Sequence, residues 1–354
     1  MSLSLRFCIM SLTGAVALAL PSTAAAHEGW GILIDAAGRI YFTDIPTNTI
    51  WRVSRDGRKE RVAEGKHSHA LHMDAAGNIY GSNPHLTLAV GSVWRLSPNG
   101  KVTDVLAPTN DLPLGLQSFI MDAEGSVYSV NARTAKTPVL ALLKRSPDGS
   151  VTRVAGGAPG HADGAGPAAQ FTGIDGMAWG DDGALYVADG PWVRRVSLDG
   201  TVTTPIVSPL TDQSWGEDLM GIAADDSGSF VIADYANRRV IRSSSDRSVT
   251  IMHGTGLLWA PTGVTVKDGN VYSLQHLRMP LAILGDLQLG PYLRIQRMSR
   301  DGTVESVITM WGSRTPWLVL LLVAIAGLIF LIMLLTRRFK ARRKVKVEPA
   351  LRGS

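Results

Sequence analysis

The chain has 354 residues, 45% of them hydrophobic and 18% charged, with a formal net charge of +5 and a sequence pI near 9.4. That balance is not a nucleic-acid signature: residues 337–354 hold eight basic and one acidic side chain and Arg6 stands near the start, which leaves a net charge of −3 for the segment between them. One cysteine, Cys8, excludes a disulfide framework and a c-type haem attachment.

Residues 1–26 read as a signal peptide. Arg6 is their only charge, residues 7–20 are an uncharged apolar run, and Ala24-Ala25-Ala26 suits cleavage before His27. From about residue 31 to 310 one pattern recurs six times. A turn ending in Gly, Asp-x-x-Gly at its fullest, is followed by a short strand, a third strand ending in Ser and a second turn. The first-turn glycines are Gly38, Gly77, Gly125, Gly183, Gly228 and Gly269, at intervals of 39, 48, 58, 45 and 41 residues. The third strands read TIWRVS, SVWRLS, ALLKRS, WVRRVS, RVIRSS and RIQRMS, with Arg or Lys in every fourth place. A period near 45 with four short strands per unit predicts an all-β fold: a six-bladed β-propeller of four-stranded antiparallel blades over residues 27–312. A lone blade cannot bury both of its faces, so the six must close into a ring. In the first blade the strands are expected at 32–35, 39–44, 49–54 and 59–64. The repeated cation is expected to lay its stem over apolar surface in each blade's outer half. Blade five lacks a Gly in its second turn. Two insertions depart from the repeat: a Gly/Ala-rich connector at 156–171 before blade four, and a long apolar loop at 276–292 inside blade six.

Residues 315–336 then carry no charge over 22 positions, long enough to cross a bilayer as a helix, with Trp311 and Trp317 at the leading edge. The basic tail follows at once, so a C-terminal transmembrane helix at 313–336 is expected, with residues 337–354 cytoplasmic. A cleaved signal puts the propeller on the other side. The two ends agree on a single-pass cell-membrane protein with its propeller outside, periplasmic in a bacterium.

Propeller ligands usually sit where the innermost strands begin, at the mouth of the central channel. Setting the six first-turn glycines in register places Trp30, His69, Gln117, Asp175, Met220 and Thr262 there, and the loops on that face add Asn83, Asn131 and His276. Trp30, Gln117, Asn83, Asn131 and His276 are therefore candidate ligand-binding residues. His69 and Asp175 face each other as a candidate catalytic pair, a carboxylate able to hold an imidazole in one tautomer and raise its basicity. His67 and His69 alternate onto one strand face and His72 onto the other, a spacing that is not a known metal motif.

The stretch HADGAGPAAQF, then DGMAWGDDGALYVAD and IADYANRRV, resembles NHL-repeat propellers, and the opening HEGWGILIDAAGRIYFTDIPTNTIWRV is similar to the regucalcin/gluconolactonase group. These resemblances cover nearly all of the repeat region and imply a fold more firmly than an activity. The gluconolactonase group implies one divalent cation, Ca²⁺ or Mg²⁺, held by a first-blade Glu and by Asn or Asp of later blades. Carried onto this chain, its ligands fall on Glu28, Gln117 and Asp175. The last position is occupied by Met220, a poor ligand for a hard cation. Two functions follow as expectations: recognition of a small polar ligand or a membrane-associated protein at the mouth, or metal-dependent hydrolysis of a lactone or ester by Glu28, His69, Gln117 and Asp175. A scaffold acting through the 276–292 loop is a third. The chain shows no phosphate-binding loop, nucleophile elbow or dinucleotide fingerprint.

Overall fold

At Gly38 and its five equivalents the backbone takes φ between 71° and 86°, a conformation in which a Cβ would be strained, and at each the chain reverses from the innermost to the second strand of a blade. In the computed structural model, which describes residues 28–85, 90–113, 118–131, 139–207, 219–244, 248–277, 291–313, 325–330 and 332–333, the repeats form six antiparallel sheets. Blade one is Ile32–Ile34, Ile40–Asp44, Thr49–Val53 and Lys59–Glu64, within a residue of the expected bounds. The other innermost strands are Leu71–Met73, Phe119–Met121, Ile174–Trp179, Leu219–Ala224 and Trp259–Lys267. Blade six holds four strands of its own, so the ring closes by packing the last blade on the first, without strand exchange.

Apolar clusters lie between neighbouring blades. Phe42 and Ile32 of blade one meet Leu293 and Ile295 of blade six, and Leu185 and Val187 of blade four meet Leu142 and Val130 of blade three. A fully buried side chain of this kind contributes about 1.5–3 kcal/mol. Near the axis the room is set by small residues. Gly31, Ala70 and Ser118, each just ahead of its innermost strand, and Gly176, Gly221 and Gly263, within theirs, occupy equivalent places in the repeat. A Cβ on Gly221 would lie 2.8 Å from the Gly263 Cα, and one on Gly263 would collide with the Trp30 carbonyl of blade one. These glycines let the innermost strands of blades five, six and one touch backbone to backbone.

The repeated third-strand cation does more than cover apolar surface. Lys144, Arg195 and Arg242 pair with first-turn carboxylates of their own blades, Asp122 (3.3 Å), Asp182 (2.7 Å) and Asp225 (3.1 Å). Arg52 and Arg297 pair instead with Glu60 and Glu305 of the outer strand.

The connector 156–171 forms a feature that the repeat does not predict. Gly164–Ala165 adds a fifth strand to the outer edge of blade four, pairing with Val202 and Thr201. Arg194 holds it down: the guanidinium is fully buried, donates to Asp189 Oδ2 and Asp163 Oδ1 (both 2.9 Å) and to the carbonyls of Gln170 and Ala162, and stands over the Phe171 ring.

The expected signal peptide lies outside the described residues, as do positions 278–290 of the apolar loop and most of the 313–336 segment. Residues 325–330 and 332–333 of that segment are helical, and Ile325, Leu328, Ile329, Phe330, Ile332 and Met333 are exposed. Among the described residues no helix is long and apolar enough to cross a membrane.

Candidate functional site

Each innermost strand brings one side chain to the channel mouth just before its small residue. Trp30 and Met220 are buried there and pack with Phe119, Ala70 and Tyr235 into one apolar cluster contributed by blades one, two, three and five. Beneath it the channel forms a cavity of about 290 Å³, walled by all six innermost strands and lined by Leu33, Leu71, Met177 and Ile222 among others. The mouth is thus stoppered by apolar side chains.

Polar groups surround the stopper. Glu28 Oε1 accepts a hydrogen bond from the Tyr235 hydroxyl at 3.0 Å, linking blade one to blade five. His69 is buried, with Nδ1 3.1 Å from the Glu28 carbonyl, so Nδ1 carries the proton. Its ring stands 5.3 Å from Trp30 and 5.1 Å from His67. Asp175 is half-buried at the head of the innermost strand of blade four. Thr262 donates to the Gly29 carbonyl at 2.9 Å and so accepts from His276 Nδ1 at 3.0 Å. Burial pushes the His276 imidazole down to about 3, which keeps it neutral at ordinary pH. Asn83 Oδ1 accepts from the His67 amide, and Asn131 binds the Ala141 amide and the Val139 carbonyl of its own blade. Gln117 lies outside the described residues.

The corresponding acids of the other blades are structural. Asp189 accepts from Thr172, Gly173 and Arg194, and Asp234 from Asn237 and Arg239. Asp44 Oδ2 accepts from Thr47, Trp51 and Tyr292, yet burial still raises its carboxyl above the usual range.

The donors fit a divalent cation poorly. Glu28 is engaged by Tyr235, Met220 is packed into the stopper, and among the described residues no group of three His, Cys, Asp or Glu is gathered closely enough to hold a metal ion.

Two features escape a reading of the repeat. Tyr235, placed directly after Asp234 in the IADYAN segment, supplies the cross-ring bond to Glu28. A wider cavity of about 740 Å³ opens on the opposite face, where the glycine turns lie, between blades two, three and four. Tyr80, Tyr128 and Trp179 line it with Asp74 and Asp122. Burial works against both carboxylates, but hydrogen bonds from Asn78 and Tyr80, and from Ser126 and Lys144, leave them lowered. His72, expected on the strand face opposite His67, opens here, and burial pushes it down to about 4 against the pull of the two acids.

No protein-family model matches the chain, and no curated protein matches its sequence. Solved structures do match. A gluconolactonase from Xanthomonas campestris aligns at TM-score 0.53 and 14% identity over 70% of this chain and 84% of that one. A calcium-binding regucalcin from Agrobacterium tumefaciens aligns at 0.51 and 17% over 74% and 87%. A chain of a nidogen/laminin complex aligns at 0.52 and 14% over 78% and 94%. At these identities the likeness is one of fold, and it agrees with the propeller read from the repeats.

Proposed function

We propose that the protein is a membrane-tethered recognition propeller, displayed outside the cytoplasm, that takes a small polar ligand or a polar segment of a membrane-associated protein at its channel mouth. The observation that carries this reading is the make-up of the mouth: Glu28, Asp175 and Tyr235, all half-buried, stand over the apolar floor of Trp30, Phe119 and Met220. Such a cup offers apolar contact below and charge-assisted hydrogen bonds, each about 1.5–3 kcal/mol, at the rim. The tether rests on the uncharged 315–336 run and the basic residues after it.

A second reading, hydrolysis of a lactone or ester, is favoured by the buried His69, whose ring bonds the Glu28 carbonyl, and by the fold shared with a gluconolactonase. Metal analysis of the purified protein separates the two. The recognition reading predicts no stoichiometric divalent cation and no change in melting temperature on chelation. One calcium or magnesium per chain, lost in Asp175→Ala, would replace it with the hydrolase.

A further inference from the structure

The register of blade six fixes where the chain leaves the propeller. Its outer strand, Val304–Trp311, runs toward the mouth face and ends with Trp311 opposite Pro291, the first residue of the third strand. Trp259 and Leu277 pair on the same edge. The loop that enters blade six from the outer strand of blade five crosses this edge too. It presents Leu257 and Leu258, 76% and 49% exposed, while Trp311 is 59% exposed. Three large apolar side chains stay in water together at the exit point of an uncharged 22-residue run, whereas the Asp- and Gly-rich turns of the opposite face expose such a side chain at Leu198.

Chain length supplies the constraint. Only residues 312–314 separate Trp311 from the start of the uncharged run at Thr315. Four residue steps reach at most about 14 Å even when fully extended. The headgroup layer accounts for roughly 5–8 Å of that on each side of a bilayer. A span beginning at Thr315 therefore holds the blade-six rim of the mouth face at the membrane surface, and it leaves no tether long enough to lift that rim into bulk solvent. Leu257, Leu258 and Trp311 are the residue types that favour the interface, with Trp most at home at headgroup depth.

We infer that the propeller lies with the blade-six edge of its mouth face against the lipid surface, Leu257, Leu258 and Trp311 in the headgroup region, and the glycine-turn face directed away. This rests on the tether proposed above and extends it: the mouth opens toward the bilayer, so its ligand approaches along or from the membrane, and the turn-face cavity is the one that soluble molecules meet first.

The test uses the full chain in vesicles of phosphatidylcholine and phosphatidylglycerol. A single environment-sensitive fluorophore is placed, in a Cys8→Ser background, on Leu257→Cys or, on the turn face, on Lys101→Cys; both parent side chains are exposed. Lipids brominated near the headgroup should quench the Leu257 probe at least twofold more than the Lys101 probe. Alkaline carbonate extraction of the same vesicles reads the span independently. Retention with equal or reversed quenching would overturn the apposed face while keeping the span. Release with Leu257 still selectively quenched beforehand would sink the span and keep the face. Release without selective quenching would end both.

Discussion

The two ends of the propeller's strands use the same residue for opposite purposes. At the mouth end, Asp44, Asp189 and Asp234 close the second strands, and all three are almost wholly buried, bound to hydroxyls, indole, backbone amides or arginine. At the turn end, Asp148, Asp199 and Asp301 stand in solvent and accept from the Ser or Thr two residues on. These three mouth carboxylates are part of the packed interior, whereas the three of the second turns fix local backbone geometry. A buried charge is stable only with its partners in place, so damage to the ring should scale with distance from the turn face.

Removing a mouth cation should have the largest effect. Arg194→Met leaves the fully buried Asp189 without its counter-charge and frees the connector strand from blade four, at a cost of about 3–5 kcal/mol. Thermal or urea unfolding would measure it, and a loss no larger than that of a turn variant would erase the distinction. Next comes ring closure. Gly263→Ala drives a Cβ into the Trp30 backbone, where no flexible side chain can give way, and should lower stability by about 1–3 kcal/mol.

A smaller effect is expected from acid. His276 is neutral in the fold at about 3 against an ordinary value of 6.5, so below pH 6.5 the unfolded chain binds a proton that the folded one does not. Its contribution is complete above pH 6.5 and falls away as pH drops toward 3. The gap in melting temperature between the wild type and His276→Gln should therefore narrow from about pH 7.5 to about pH 4.5, and a constant gap would mean the imidazole is not held neutral. The smallest effect belongs to Asp199→Asn, which replaces a solvent-exposed turn carboxylate by a side chain that still accepts from Thr201, and should leave the melting midpoint unmoved.

The same contrast explains what the chain revealed in one dimension. Turn glycines and the serine-ended third strands repeat because each blade needs them, so blade number and strand bounds could be read directly, as could the mouth positions Trp30, His69, Met220 and Thr262. The Glu28–Tyr235 bond could not, because it joins residues 207 positions apart and neither belongs to the repeat. Nor could the Gly164–Ala165 strand, which is made of residues with no strand preference and is held by Arg194 from beneath. The turn-face cavity escaped for a related reason: Tyr80, Tyr128 and Trp179 look like ordinary blade positions until three blades bring them together.

Recognition at the mouth can be tested at its source by photo-crosslinking the full chain in its native membrane. A photoreactive phenylalanine would replace Ala236, next to Tyr235 at the mouth, or Leu198, which is 66% exposed beside the turn-face cavity. A partner held at the mouth gives adducts from position 236 and none from 198. Adducts from 198 alone, or from neither position, would overturn recognition at the mouth.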